Sequence, residues 1–277
     1  MTSLLAPPLR SPAQFPAPFA READMLLPLL TGIADGVLAL RGEPFFEVQT
    51  LHGIADVVFA DVDQEVMSAR TRLGLSAVTE ISEVATLMAF QSGKDQEAPQ
   101  FLQTASLAAR TGISPGHLRS KILPRLVERG WILSRGGGWA LSASFIPPVR
   151  SMTAVEIKRT DWRRALSQAN SYTDFSDAAY VAMDCARVRD TAAMSPAFNF
   201  SGVGLLTVRS DEGAKGVQRR INARRRRRRG LPHAVVAERI ADLIKNESRS
   251  GEVGLVFGQF LTTTSGLDPR FRQCPEG

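Results

Sequence analysis

The chain has 277 residues, 44% of them apolar and 22% charged, which is a globular composition with room for one large domain or two small ones. The formal net charge is +6, and the two cysteines, Cys185 and Cys274, are too few for a disulfide scaffold or a cysteine-rich zinc site. They fit a reducing, cytoplasmic setting, and no stretch of eighteen apolar residues predicts a membrane span. Residues 1–20 carry five prolines and lack the basic start and long apolar run of a secretory signal. They are read as a disordered leader.

A helix is expected over 22–33, shifted by Pro28. Residues 45–61 are rich in Val, Phe and Ile and predict two strands joined near His52-Gly53. Helices are expected over 63–72 and 78–91, and 93–100 reads as a linker. After residue 150 the pattern becomes strand (151–160), helix (161–172) and strand (178–186). A strand at 203–208 and a helix at 233–246 complete it. Strands alternating with helices predict an α/β or α+β sheet domain.

Charge is uneven. Residues 219–229 hold eight arginines and no acid, and 102–150 hold seven Arg or Lys against Glu128 alone, so the remainder of the chain is net acidic. Two basic blocks on an acidic background have the footprint of a polyanion binder, even if the Arg run is a solvated or disordered loop.

Within the first block, a short helix is expected over 104–110, with Leu107 and Ala108 inward. A Thr111-Gly112 turn follows, then a second helix capped by Ser114 with Pro115 at its first position. Leu118, Ile122, Leu126 and Val127 are assigned to its buried face. Residues 131–134 and 139–142 predict a hairpin tipped by Arg135-Gly136-Gly137-Gly138. This segment resembles a winged helix-turn-helix. The resemblance implies that His117, Arg119, Ser120 and Lys121 approach the DNA major groove and that Arg135 lies on the wing. Pro124 departs from the pattern by kinking or shortening the recognition helix.

The chemical signal lies on two strands. In Val155-Glu156-Ile157-Lys158, alternation places Glu156 and Lys158 on one face and Val155 and Ile157 on the other. A surface ion pair would contribute at most about 1 kcal/mol. The alternative is a carboxylate holding a hard divalent cation beside a lysine that positions water. Asp56 interrupts the apolar run Gly53–Phe59, and a lone acid there needs a partner or a ligand. If the strands are neighbours, Asp56, Glu156 and the Ile157 carbonyl can share one ion. The following helix, with Asp161 as its N-cap, carries Gln168 and Tyr172 on one face. Gln168 is read as holding Lys158 or a phosphate, Tyr172 as touching a nucleic-acid backbone, and both as buttressing the site.

Gly53…Asp56, Glu156-Ile157-Lys158 and Gln168…Tyr172 together resemble the PD-(D/E)xK nuclease superfamily, most closely its RecB-type branch. The resemblance covers about residues 40–62 and 150–190. It implies a restriction-endonuclease-like mixed sheet flanked by helices, with Mg²⁺ or Mn²⁺ supporting hydrolysis of DNA phosphodiester bonds. Residues 21–92 and 150–277 would form this domain, and 101–149 would be a winged-helix insertion within it. Arg224, Arg225 and Arg226 are expected to grip DNA with the insertion. Duplex DNA is favoured over RNA, no membrane is expected, and a homodimer is compatible with the family. The helical histidine common in that branch has no counterpart. His52 would lie about 13 Å from Asp56 along the strand, leaving Glu22 and Glu47 as candidate further acids. The rival expectation is a non-catalytic DNA-binding regulator with an inactive nuclease-like domain.

Overall fold

The computed structural model describes residues 16–40, 42–91, 101–188, 190–211 and 216–251. The expected linker at 93–100, Cys274, residues 252–277 and the first fifteen residues of the leader lie outside them.

A six-stranded mixed sheet forms the centre, in the order β1-β2-β5-β6-β7-β8. β1 (Glu43–Thr50) and β2 (Gly53–Val62) make the expected hairpin. Gly53 supports the turn with φ +127, a value open to glycine. β2 pairs antiparallel with β5 (Val149–Lys158), which runs parallel to β6 (Ala178–Asp184). β6 is parallel to β7 (Gly204–Val208), and β8 (Val217–Ile221) closes the sheet antiparallel to β7.

Both faces of this sheet are covered. Ala154, Val181 and Leu205 pack on one face beneath three helices. These are α7 (Trp162–Tyr172), α8 (Thr191–Ser201) and α9 (Leu231–Lys245). Val155, Ile157 and Ala182 pack on the other face beneath α1 (Leu26–Ala34) and the chain before it. A strand buried on both sides is expected to be apolar at nearly every position; β6 is, up to Asp184, whereas β5 carries Arg150, Ser151, Thr153, Glu156 and Lys158 among its apolar residues.

Two expectations are corrected here. Residues 16–20 are not a free leader: Phe19 is buried against the sheet and its N–H donates to Asp184 Oδ2 at 3.0 Å. The arginine run is not a free loop either. Arg219 and Arg220 lie in β8. Beyond the strand, the N–H groups of Arg224, Arg226 and Arg228 donate to Gly202 O, Asp177 O and Asp177 Oδ1.

Between β2 and β5 the chain leaves the sheet and returns to the same place, because Val62 and Val149 are register partners. The excursion holds α2 (Gln64–Arg72), capped by Asp63, which accepts from the N–H groups of Glu65 and Val66. It continues with α3 (Ile81–Phe90), α4 (Thr104–Thr111), α5 (Pro115–His117) and α6 (Leu123–Glu128). It ends in a hairpin of β3 (Ile132–Arg135) and β4 (Gly138–Leu141). Gly136 and Gly137 turn the hairpin with φ +57 and +75, as a two-residue turn with both central residues left-handed requires. Leu87, Leu107, Leu118, Leu126 and Trp131 form a separate core here, against which Ala234 and Val235 of α9 also pack.

One buried charge pair ties the excursion to α9. Arg70 of α2 bonds both carboxylate oxygens of Glu238, donates to Ile146 O at 2.8 Å, and stacks 4.8 Å over the Trp131 ring.

Pro124 has a definite effect. Its ring cannot sit against the Ser120 carbonyl of a regular helix and has no N–H to give it. The chain opens into a π turn over Leu118–Ile122, with the Leu123 N–H donating to Leu118 O. The buried face is therefore Leu118, Ile122, Leu123 and Leu126, and Val127 is 41% exposed rather than buried as expected.

Candidate active site and nucleic-acid interface

The ladder between β2 and β5 stops at Val57↔Val155, although β2 begins at Gly53 and β5 runs on to Lys158. Beyond that pair the strands part. The Asp56 side chain fills the gap, with Oδ2 accepting the Ile157 N–H at 2.7 Å. A carboxylate thus replaces a strand at the mouth of the opening.

The neighbouring hairpin is bent at the same level. Register pairs Phe46↔Val57 and Val48↔Ala55 leave out Glu47 and Asp56, and Glu47 has φ +49. A non-glycine residue in this left-handed region costs about 1–2 kcal/mol. Apolar side chains change face across the irregularity: Phe46 and Val57 pack on the α1 side, Val48 and Ala55 on the α7 side.

Glu156 lies inside the protein, with none of its surface exposed. Its Oε2 accepts the Tyr172 hydroxyl proton at 2.5 Å, and its Oε1 lies 3.0 Å from Lys158 Nζ. That Oε1 makes no hydrogen bond besides this charge pair. Lys158 Nζ also lies 3.5 Å from Glu22 Oε2 and donates to Ile157 O at 3.3 Å. The ammonium sits among three oxygens, one from each of two carboxylates and one from the backbone. Glu22 Oε1 also accepts the Arg159 N–H at 3.2 Å, which fixes the acid over the end of β5.

The protonation balance follows from this packing. Burial, then the nearby Glu156 charge, pushes the Asp56 carboxyl up to about 8, against the opposing Ile157 N–H and Lys158. Burial pulls the Lys158 ammonium down, but the charges of Asp56, Glu156 and Glu22 outweigh it and hold it above its ordinary value. Burial, then Glu156, raises the Tyr172 phenol well above its usual range, so it remains a neutral donor.

The structure thus brings together Asp56, Glu156, the Ile157 backbone, Lys158 and Tyr172, and adds Glu22. Of the two roles expected of Tyr172, contact with a nucleic-acid backbone is corrected. The side chain is 2% exposed, with its hydroxyl also 3.0 Å from Ile54 O, so it buttresses Glu156 and is too deep to touch a nucleic-acid backbone. Gln168 is half-buried with Oε1 buried and unpartnered, and it makes no hydrogen bond to Lys158. Glu47 is turned away and accepts from Ser250 Oγ at 3.1 Å. His52 lies outside the cluster, 3.2 Å from Asp174. Among the described residues, no group of three or more His, Cys, Asp or Glu is placed to hold a metal ion. Any cation here would take Asp56, Glu156 and the Ile157 carbonyl, the donor types a hard divalent ion accepts with water. Glu156 Oε1, whose one partner is the Lys158 ammonium, has a lone pair left for that role.

The basic surfaces lie elsewhere. His117, Arg119, Ser120 and Lys121 are exposed together at the π turn, and Arg135 is exposed at the base of the β3–β4 turn. Arg224 and Arg226 line one cleft with Arg228. Arg225 points to the other side of the segment, 3.4 Å from Ala39 O. The sequence singled out the arginine run but not Arg228, nor Asp177 as its anchor.

No protein-family model, curated protein or solved structure was found to match the chain.

Proposed function

We propose that the protein is a divalent-metal-dependent nuclease that hydrolyses DNA phosphodiester bonds. The observation that carries this reading is the parted end of β2 and β5. There Asp56 is fixed on the Ile157 N–H and Glu156 is paired with a charged Lys158. Desolvated acids with strongly shifted protonation, gathered beside a retained ammonium, are the pattern that functional sites share.

Asp56, Glu156 and the Ile157 carbonyl would hold Mg²⁺ or Mn²⁺. Such an ion supplies Lewis-acid polarisation of a phosphoryl oxygen and a more acidic bound water. Lys158, already protonated, donates to the phosphoryl oxygens and offsets the negative charge that grows as water attacks. It is not the base. Tyr172 holds Glu156 through a neutral hydrogen bond, and Glu22 holds Lys158 from above. The helix pair and hairpin of the excursion form a winged-helix unit. It presents His117, Arg119, Ser120, Lys121 and Arg135 to duplex DNA.

A second reading is a DNA-binding regulator without catalysis. It is favoured by the Lys158 ammonium already filling the oxygen cluster.

Incubation of plasmid DNA with Mg²⁺ or Mn²⁺ separates the two. Metal-dependent nicking or linearisation, lost in Glu156→Gln, supports the nuclease. No cleavage of supercoiled, linear or branched DNA, with salt-sensitive binding retained in both proteins, sinks it in favour of the regulator.

A further inference from the structure

The cleft lined by Arg224, Arg226 and Arg228 lies beyond the candidate active site, at the other end of β6. Its floor is Ala178 and Ala179, the first residues of that strand, and its walls include Thr173 after α7 and Gly202 after α8. The three arginines alternate along an extended segment whose backbone is pinned at each of them. Arg224 N–H donates to Gly202 O at 2.8 Å, Arg226 N–H to Asp177 O at 2.8 Å, and Arg228 N–H to Asp177 Oδ1 at 3.0 Å. Their side chains fall on one side of the segment, about 7 Å apart from one to the next.

These guanidiniums have little to neutralise them. Among the described residues, none of the three forms an ion pair with a carboxylate. Asp177 is the acid in the cleft, and its oxygens are committed to the backbone N–H groups of Arg228 and Met152. Arg228 is half-buried, and its Nε is buried without a hydrogen-bond partner. A buried donor left without an acceptor is costly, and a planar fork of donors matches phosphate oxygens.

The cleft also has a fixed relation to the acids. Ala178 is the register partner of Thr153, and Val181 of Glu156, so three strand residues separate the two levels. That is about 10 Å along the strands. Both places lie on the α7 side of the sheet, with Tyr172 facing the acids and Thr173 the cleft.

We infer that Arg224, Arg226 and Arg228 bind successive phosphates of one nucleic-acid strand, the strand whose bond is cleaved a short way along at Asp56 and Glu156. This rests on the nuclease reading for the cleavage, but the binding is separable from it. The pinned backbone holds the three guanidiniums at a spacing of the order of the distance between phosphates in an extended strand. A free phosphate would engage one of them, whereas a strand engages all three.

The test is fluorescence anisotropy of a labelled single strand in chelator, where no cleavage occurs. The full chain is compared with R224Q/R226Q/R228Q and with the charge-matched control R72Q/R187Q/R219Q. The cleft variant should bind at least tenfold more weakly, and its salt slope should fall by about 2, the value for three phosphate contacts on a single strand. The control should lose less than threefold, and both variants should melt within a few degrees of the parent. Equal losses in the two variants would overturn the site in favour of diffuse attraction. Competition by millimolar inorganic phosphate as strong as by the strand would reduce it to a free-phosphate site. Loss of binding to anionic phosphatidylserine vesicles with strand binding intact would overturn it in favour of a membrane surface. Plasmid cleavage is measured in parallel. Cleavage without a cleft effect removes this inference and leaves the nuclease. A cleft effect without cleavage removes the nuclease and leaves a strand-binding site.

Discussion

Lys158 Nζ stands 3.0 Å from Glu156 Oε1, two residues back on the same strand, at the point where β5 has lost its β2 neighbour. The ammonium balances a fully buried carboxylate. Replacing Lys158 by Met leaves that carboxylate buried and unpaired, which costs about 3–5 kcal/mol. The variant should unfold at a lower temperature in chelator, and Mn²⁺ should restore more of the loss than it adds to the parent. Its cleavage rate should fall by about 10²–10³. A variant as stable as the parent, with no response to Mn²⁺, would remove the cation cluster.

Asp56 gives stability a pH dependence. The unfolded chain releases this proton near a carboxyl's ordinary value of 3.8, while the folded protein holds it up to about 8. The stabilisation is complete below the lower value and is lost as pH rises through the upper one. Asp56→Asn keeps an acceptor for the Ile157 N–H and removes the titration. In chelator it should melt above the parent at pH 9, with the gap closing towards pH 4. Parallel melting curves across this range would contradict the desolvation of the half-buried Asp56 carboxyl.

Tyr172→Phe deletes the donor to Glu156 Oε2 and leaves the ring in its apolar bed. A buried acceptor that loses its donor costs about 1–3 kcal/mol, read as a shift in the urea midpoint with an unchanged slope. An unchanged midpoint would mean that the hydroxyl contributes nothing to holding Glu156.

Arg70 and Glu238 are the buried clasp between the excursion and α9. Glu238→Ala strands the Arg70 charge and orphans the Val78 N–H, which donates to Glu238 Oε2 at 3.0 Å. The expected loss is about 3–5 kcal/mol, seen in thermal melting. A loss below 1 kcal/mol would show that the excursion packs independently of this pair.

Arg119→Ala with Lys121→Ala removes two exposed cations from the π turn. Duplex affinity should fall in the same proportion for unrelated sequences, and the salt slope should fall by about 2. Unchanged duplex binding would move the duplex contact off this turn.

Much of this arrangement was legible in the chain. Alternation in β5 placed Glu156 and Lys158 on one side, and the apolar run around Asp56 marked a strand. Their adjacency was a conditional that only pairing could resolve. α8 was not anticipated, because Pro196 lies in its middle, a position a sequence reads as a break, and its polar residues follow no stripe. β8 was hidden because Val217-Gln218-Arg219-Arg220-Ile221 reads locally as a solvated charge run, and only β7 makes it a strand. Tyr172 lay on the expected helix face, but its depth depends on how α7 packs, which periodicity does not encode. Glu22 reaches Lys158 across 136 positions of chain, a contact without a local signature.

The register pair Val62↔Val149 makes β2 and β5 a hairpin whose loop is itself folded. As a flexible loop, residues 63–148 would raise the entropic cost of closure by roughly 3 kcal/mol over a tight turn. Once its own core forms, its ends are drawn together and most of that cost disappears.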